Sequence, residues 1–145
     1  MTRETHNAVP PVATWLGRAG LLPFIAAPIA MAVHPEQLQF AGRVLSVYAL
    51  SIICFLVGVW WGLGLIRREP SALVLSNAVV IVAFFGHIGM PDQEFLLFCA
   101  LLFPATVLVE RSHRLFRPQP PYYARLRAQL TVMATLSLSL AAVQL

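Results

Sequence analysis

Five blocks of apolar residues, divided by short polar stretches, organise this chain. Residues 1–14 are polar and carry Arg3, Glu4, Pro10 and Pro11, the pattern of a tail. The first block, 15–33, runs from Trp15 to Val33 and holds one charge, Arg18, and two prolines, Pro23 and Pro28. The second, 44–66, is free of charge throughout. The third, 71–90, is closed by Pro91-Asp92, a helix stop followed by a turn former. The fourth, 95–109, is short and contains Pro104, so it is expected to borrow a turn at each end or to cross where the bilayer thins. The fifth, 128–145, ends the sequence without a charge. An amphipathic helix of a soluble protein keeps one polar face. Here the blocks are apolar all round and close to the ~20 residues that cross a hydrocarbon core of ~30 Å. Alternating segments of ~10 residues, the mark of a membrane barrel, are absent. The pattern predicts an all-α, polytopic membrane helical bundle of about five transmembrane helices, forming one domain over 15–145.

Composition agrees. Apolar residues make up 59% of the chain and charged residues 11%, against ~25% charged in soluble domains. The basic residues are all arginine, a usage that points to a bacterial coding sequence. The net charge of +4 does not imply nucleic acid, because the arginines lie between spans and not on one solvated face. Ala30-Met31-Ala32 has the form of a signal-peptidase site, but Pro23 and Pro28 inside the apolar region argue for a retained span.

Short loops rich in arginine resist translocation. With the N-terminus inside, Arg3, Arg18, Arg67, Arg68, Arg111, Arg114, Arg117, Arg125 and Arg127 fall on the inner side and Arg43 alone on the outer side. The expected location is therefore the bacterial inner membrane, multi-pass, with the N-terminus cytoplasmic and the C-terminus periplasmic.

Within lipid, helices associate through small residues and interhelical hydrogen bonds. Ser51, Cys54, Gly58 and Gly62 share one face of the second span, and Thr131, Thr135 and Ser139 share one face of the fifth. Packing inside the chain is the simpler use of both stripes; a surface kept for another membrane protein is the alternative. Cys54 and Cys99 lie inside apolar blocks and read as small buried hydrophobes. Trp60 and Trp61 fit an interfacial aromatic belt, with a buried indole beside the glycines as the second option; Tyr122 and Tyr123 fit the belt as well.

Polar groups at membrane depth are candidate functional residues. Arg18 is placed to snorkel to lipid headgroups or to pair with Glu69, and Asn77 to bond a neighbouring helix. His34, His87 and Asp92 are weak candidates for a metal, with Glu36 and Glu94 nearby in the outer segments, but none has ligand spacing. Glu110, beside Arg111, is expected to be paired or solvated. Arg111, Arg114, Arg117, Arg125 and Arg127 make the inner loop a surface for anionic headgroups, and Pro118, Pro120 and Pro121 predict an extended segment within it. No nucleophile motif or phosphate loop is present. The expectation is a protein that is not an enzyme and takes no cofactor, with membrane lipids and other membrane subunits as partners and no nucleic acid.

Three fragments carry a resemblance. Leu16-Gly17-Arg18-Ala19-Gly20-Leu21-Leu22-Pro23-Phe24, the stretch Tyr48 to Leu65 with Phe55 and Gly58-Val59-Trp60-Trp61-Gly62, and Pro121-Tyr122-Tyr123-Ala124-Arg125-Leu126-Arg127-Ala128-Gln129-Leu130-Thr131 occur in order along nearly the whole chain. Together they resemble the family labelled domain of unknown function 3429, the transmembrane protein 69-like small inner-membrane proteins. Trp60 departs from the family pattern, in which that position is often polar or basic. The resemblance implies a small multi-helix protein of bacterial and mitochondrial inner membranes and supplies no reaction. The leading functional expectation is a structural or accessory subunit, or assembly partner, of a larger inner-membrane complex, respiratory or photosynthetic. Alternatives are a small oligomeric transporter or channel built around Pro23, Pro28 and Pro104, and a metal- or quinone-handling protein using His34, His87 and Asp92.

Overall fold

A computed structural model describes residues 11–117 and 121–145. The predicted tail residues before Pro11, and Pro118 and Pro120 of the predicted extended segment, lie outside the described residues. Six α-helices follow one another: α1 (Pro11–Ala19), α2 (Leu22–Val33), α3 (Leu38–Ile66), α4 (Pro70–Gly89), α5 (Asp92–Ser112) and α6 (Pro121–Gln144). Short 3-10 turns at Pro35–Gln37 and Arg114–Phe116 complete the described elements. α1 and α2 together make the first span, so five helical segments are long and apolar enough to cross a membrane. The fourth is longer than its apolar block, because polar turns at both ends of Asp92–Ser112 are helical.

Prolines set most of the boundaries. Pro23 has no N–H and its ring excludes the carbonyl four residues back, so the first span breaks at Gly20-Leu21 before α2 begins. The Gly20 carbonyl, at the break, accepts a hydrogen bond from the Tyr48 hydroxyl of α3 at 2.8 Å. Pro104 interrupts the bonding of α5 in the same way, and the carbonyl at Ala100, four residues earlier, accepts from the Thr135 hydroxyl of α6 at 3.4 Å. Neighbouring helices thus satisfy backbone groups that lipid cannot. Met90 is extended ahead of Pro91, which ends α4. Pro70 opens α4, and Pro121 opens α6 where an extended segment was predicted. Proline is well placed at a first helical position, because the N–H it lacks has no intrahelical partner there.

The core lies between α2, α3, α5 and α6 and includes Phe24, Met31, Leu45, Ile53, Phe95, Leu96, Cys99, Phe103 and Leu138. α4 packs on α3. At the start of α4 the two helices close on Gly64, where an added Cβ would stand 3.0 Å from Leu73 and 3.3 Å from Ala72. Gly42 gives α3 a similar close approach to Met31 and Leu145. The α3–α4 link turns through Arg68, whose φ of 54° is left-handed. The Glu69 N–H then reaches back to the Gly64 carbonyl at 2.8 Å and closes the helix end.

Candidate functional site

The two ends of the bundle differ. At one end Arg43 reaches Asp92 at 3.3 Å, His34 meets Glu36 at 3.0 Å, and Gln93 donates to the Ala142 carbonyl at 2.9 Å. The other end gathers the arginine-bearing links and holds the buried charged groups, Glu110 and Arg127.

Glu110 is at the centre of this arginine-rich end. α5 carries it to roughly 27 Å from the helix start at Asp92, and α6 carries Arg127 to roughly 25 Å from the opposite end at Gln144. Both therefore sit close to one face of a ~30 Å core. Glu110 Oε1 accepts from Arg127 Nη2 and from the indole Nε1 of Trp60 on α3, each at 3.1 Å. Arg127 Nη2 also reaches Thr106 Oγ1, and its Nη1 reaches Thr131 Oγ1, both at 3.3 Å. Trp60 is 1% exposed, Glu110 4% and Arg127 6%. Glu110 Oε2 and Arg127 Nε have no hydrogen-bond partner among the described residues. Three helices are thus joined by one charge pair and one indole, with a single carboxylate oxygen serving two donors.

A second layer closes the end of the bundle beyond this knot. Arg114 Nη2 meets Glu69 Oε1 at 2.9 Å, and Ser71 donates to the same oxygen at 3.0 Å. His113 accepts the Leu115 N–H on Nδ1, so its proton sits on Nε2, which faces the Ser71 hydroxyl at 3.1 Å. Arg67 donates to the carbonyls of Leu115 and Arg117. The Glu69 carboxyl is held below the usual carboxylate range, chiefly by its hydrogen bond from Arg114 and then by that from Ser71. Phe116 stacks edge-on against Trp60 at 5.7 Å and links the two layers.

A cleft of about 510 Å³ opens beside the knot, where the α1–α2 break leaves space between the first span, α3 and α6. Gly17, Gly20 and Leu21 line it from the first span, Ile52, Leu56 and Val59 from α3, and Phe103 from α5. Its polar lining comes from Tyr122, Tyr123, Arg127 and Thr131, all on the first turns of α6.

With this geometry in view, comparison with known proteins is informative. The model of the family described as protein of unknown function (DUF3429) matches residues 9–143. The chain belongs to the DUF3429 family. It is also similar to transmembrane protein 69 of Xenopus tropicalis, 32% identical over 138 residues that cover 89% of this chain and 53% of that protein. The chain thus spans about half the length of the curated relative it matches. No solved structure matches it.

The DUF3429 bundle places the residues singled out in the sequence in several ways. Thr131 and Thr135 face α5 and bond, respectively, to Arg127 and to the Ala100 carbonyl, while Ser139 is half-buried on the same stripe. Ser51, Cys54, Gly58 and Gly62 turn away from the core, Ser51 and Gly58 exposed and Cys54 and Gly62 half-buried. At ~100° per residue, Trp60 lies half a turn round α3 from Ser51. Among the described residues, no neighbouring helix or side chain comes within 4 Å of a Cβ built on Gly58 or Gly62. Among the described residues, then, the two glycines do not serve packing inside the chain, the simpler expectation for this stripe.

Arg127, expected on the headgroups, is buried instead, with its Nη1 and Nη2 held by Thr131, Thr106 and Glu110. Glu110 is paired, with Arg127 in place of the solvent or the adjacent Arg111. Trp60 is the buried indole, whereas Trp61 is 46% exposed. Arg18 is exposed and leaves Glu69 to Arg114. Asn77 is also exposed, and it bonds the Leu73 carbonyl of its own helix at 2.8 Å instead of a neighbouring helix. Arg111, Arg114, Arg117 and Arg125 are exposed at the end of the bundle, Tyr122 is half-buried and Tyr123 is at the surface. Arg117 also donates to the Arg111 carbonyl at 3.2 Å.

The weak metal candidates stay apart. His34 is engaged with Glu36 and Asp92 with Arg43, and His87 packs edge-on against Phe95 at 4.9 Å. Among the described residues, no three His, Cys, Asp or Glu side chains come together as a metal site. The knot itself was missed, since Glu110 and Arg127 are far apart in sequence and each has arginine neighbours. The available signal was their placement at matching depths of the last two spans.

Proposed function

We propose that this DUF3429 protein is a non-enzymatic accessory protein of the bacterial inner membrane that packs, through one face of α3, against a transmembrane helix of a larger complex. Its N-terminus is cytoplasmic and its C-terminus periplasmic. One observation carries the reading: the Ser51, Cys54, Gly58 and Gly62 stripe turns away from the core, and among the described residues no neighbouring helix or side chain comes within 4 Å of a Cβ built on either glycine. A lipid-facing surface gains nothing from glycine, which costs helix stability. A partner helix does gain, because the missing side chains let two backbones approach. The Glu110–Arg127–Trp60 knot supports the same reading, since it ties α3, α5 and α6 into a rigid platform for that face.

Crosslinking in native membranes tests it. A cysteine placed by Gly58→Cys in a Cys54→Ala background is expected to crosslink to one other membrane protein, and a cysteine placed by Val143→Cys on α6 is not. Gly58→Leu with Gly62→Leu should abolish that association while leaving the isolated chain at least as stable to heat, since leucine favours the helix over glycine and neither added Cβ meets a neighbour among the described residues. Crosslinks that survive the leucine pair, or their absence at Gly58, would remove the proposal.

A further inference from the structure

The cleft beside the knot adjoins the glycine stripe on α3 but does not include Gly58 or Gly62, and it makes a separate claim. Three features distinguish it from a gap between helices. Its walls are apolar along the first span, α3 and the floor at Phe24 and Phe103, while its polar lining is confined to the first turns of α6, at Tyr122, Tyr123, Arg127 and Thr131. Polarity at one end only matches an amphiphile with a hydrocarbon tail. The space is built in, because Pro23 breaks the first span at Gly20-Leu21, and Gly17 and Gly20 line the wall without side chains. Its volume of about 510 Å³ falls within the ~300–1,000 Å³ of ligand sites that are mostly apolar with a few polar groups.

Charge selects the headgroup. Arg127 is already matched by Glu110, so the knot adds no net charge. Arg18 and Arg125 are exposed and follow or precede Gly17 and Leu126 of the wall without lining the cleft themselves, and neither forms an ion pair among the described residues. The surface around the cleft at the arginine-rich end is therefore positive. Each arginine near such a surface favours an anionic lipid by ~1 kcal/mol. An unpartnered donor, Arg127 Nε, also lies on a residue lining the cleft.

We infer that this cleft is a binding site for one anionic glycerophospholipid, an acyl chain lying along the first span and α3 and the headgroup meeting Arg18, Arg125 and the tyrosines of α6. The site holds the lipid as a structural ligand against the break in the first span, and no bond is made or broken.

Native mass spectrometry of the full chain released from nanodiscs tests this. Discs made of equal parts phosphatidylglycerol and phosphatidylcholine should yield protein retaining one phosphatidylglycerol, preferred roughly thirtyfold over phosphatidylcholine. Val59→Trp fills the cleft from a half-exposed wall position and should abolish retention. Ala13→Trp, on the opposite wall, is the second filling variant should the first fail to fold by circular dichroism. Arg18→Gln with Arg125→Gln should keep a bound lipid but lose the headgroup preference. Equal retention of the two lipids by the wild type, retention that survives a folded filling variant, or a neutral isoprenoid lipid co-purifying in place of phospholipid would each overturn the inference. Because Gly58 and Gly62 do not line the cleft, the Gly58→Leu, Gly62→Leu protein should retain the lipid, so this result separates the site from the docking face.

Discussion

Two glutamate–arginine pairs lie at the same end of the bundle and behave as different objects. Glu69–Arg114 closes at 2.9 Å and Glu110–Arg127 at 3.1 Å. In each, one carboxylate oxygen takes two donors: Arg114 and Ser71 in the first, Arg127 and Trp60 in the second. What differs is the surroundings. Arg114 stands free at the surface, whereas both members of the inner pair are buried at membrane depth. A surface pair gains little because water and salt screen it. A buried pair has given up its hydration, so each partner depends on the other staying. The outer pair trims the end of the molecule, and the inner pair commits three helices to one arrangement.

The sharpest way to break this contrast is to remove one partner at a time. Glu110→Ala or Arg127→Ala leaves a buried charge unmatched and should cost ~3–5 kcal/mol, enough to prevent accumulation of folded protein. Unfolding in mixed detergent micelles, followed by circular dichroism, measures it. Replacing both by methionine should recover most of that loss, because two matched charges and their desolvation cost leave together. If the double variant is as unstable as the singles, burial is not what makes the pair different.

Removing the indole donor asks less of the protein. Trp60→Phe keeps the ring near Phe116 but deletes the hydrogen bond to Glu110 Oε1, and should cost ~1.5–3 kcal/mol as a bond to a charged group. A smaller loss is expected from Thr106→Val, about 1 kcal/mol, since Arg127 Nη2 retains Glu110 and loses only a longer contact. The same micelle unfolding curves rank these two variants. An inverted order would mean that Thr106, not Trp60, anchors the pair.

How far these two pairs could be read from the sequence follows from what charge patterning reports. The five apolar blocks mark the spans because lipid imposes apolarity on every side of a helix. Arginine placement marks the shared end because short basic loops resist translocation. Neither signal distinguishes an arginine that points out from one that points in. Arg125 and Arg127 are two residues apart on α6, about 200° round the helix, so one reaches the surface and the other meets Glu110. Telling them apart requires knowing which face of α6 meets α5. The Thr131 and Thr135 stripe held that information, and Arg127 sits one turn before it on the same face. The glycine stripe of α3 looked equivalent in sequence and faces away, because α3 buries the side carrying Gly42, Ala49, Ile53 and Trp60. Thr135 had a further role that spacing does not reveal: it serves a carbonyl that Pro104 frees on another helix.

The smallest expected effect concerns the outer pair and depends on pH. Arg114, and secondarily Ser71, lower the Glu69 carboxyl below its ordinary value. A carboxylate whose folded value is depressed contributes stability that is fully present above its unfolded value, ~4.3 for glutamate, and is lost as pH falls through the folded value. Arg114 stays charged throughout this window, so the carboxylate alone sets the titration. Glu69→Gln should therefore lower the melting temperature slightly at pH 7, and the difference from wild type should shrink as the pH is taken from 5 toward 3. High salt should shrink it as well, because Arg114 is open to solvent. The Glu110→Gln difference should persist in high salt at pH 7, since ions do not reach that pair. Equal salt sensitivity of the two variants would mean that water enters the knot and that the pairs differ only in position.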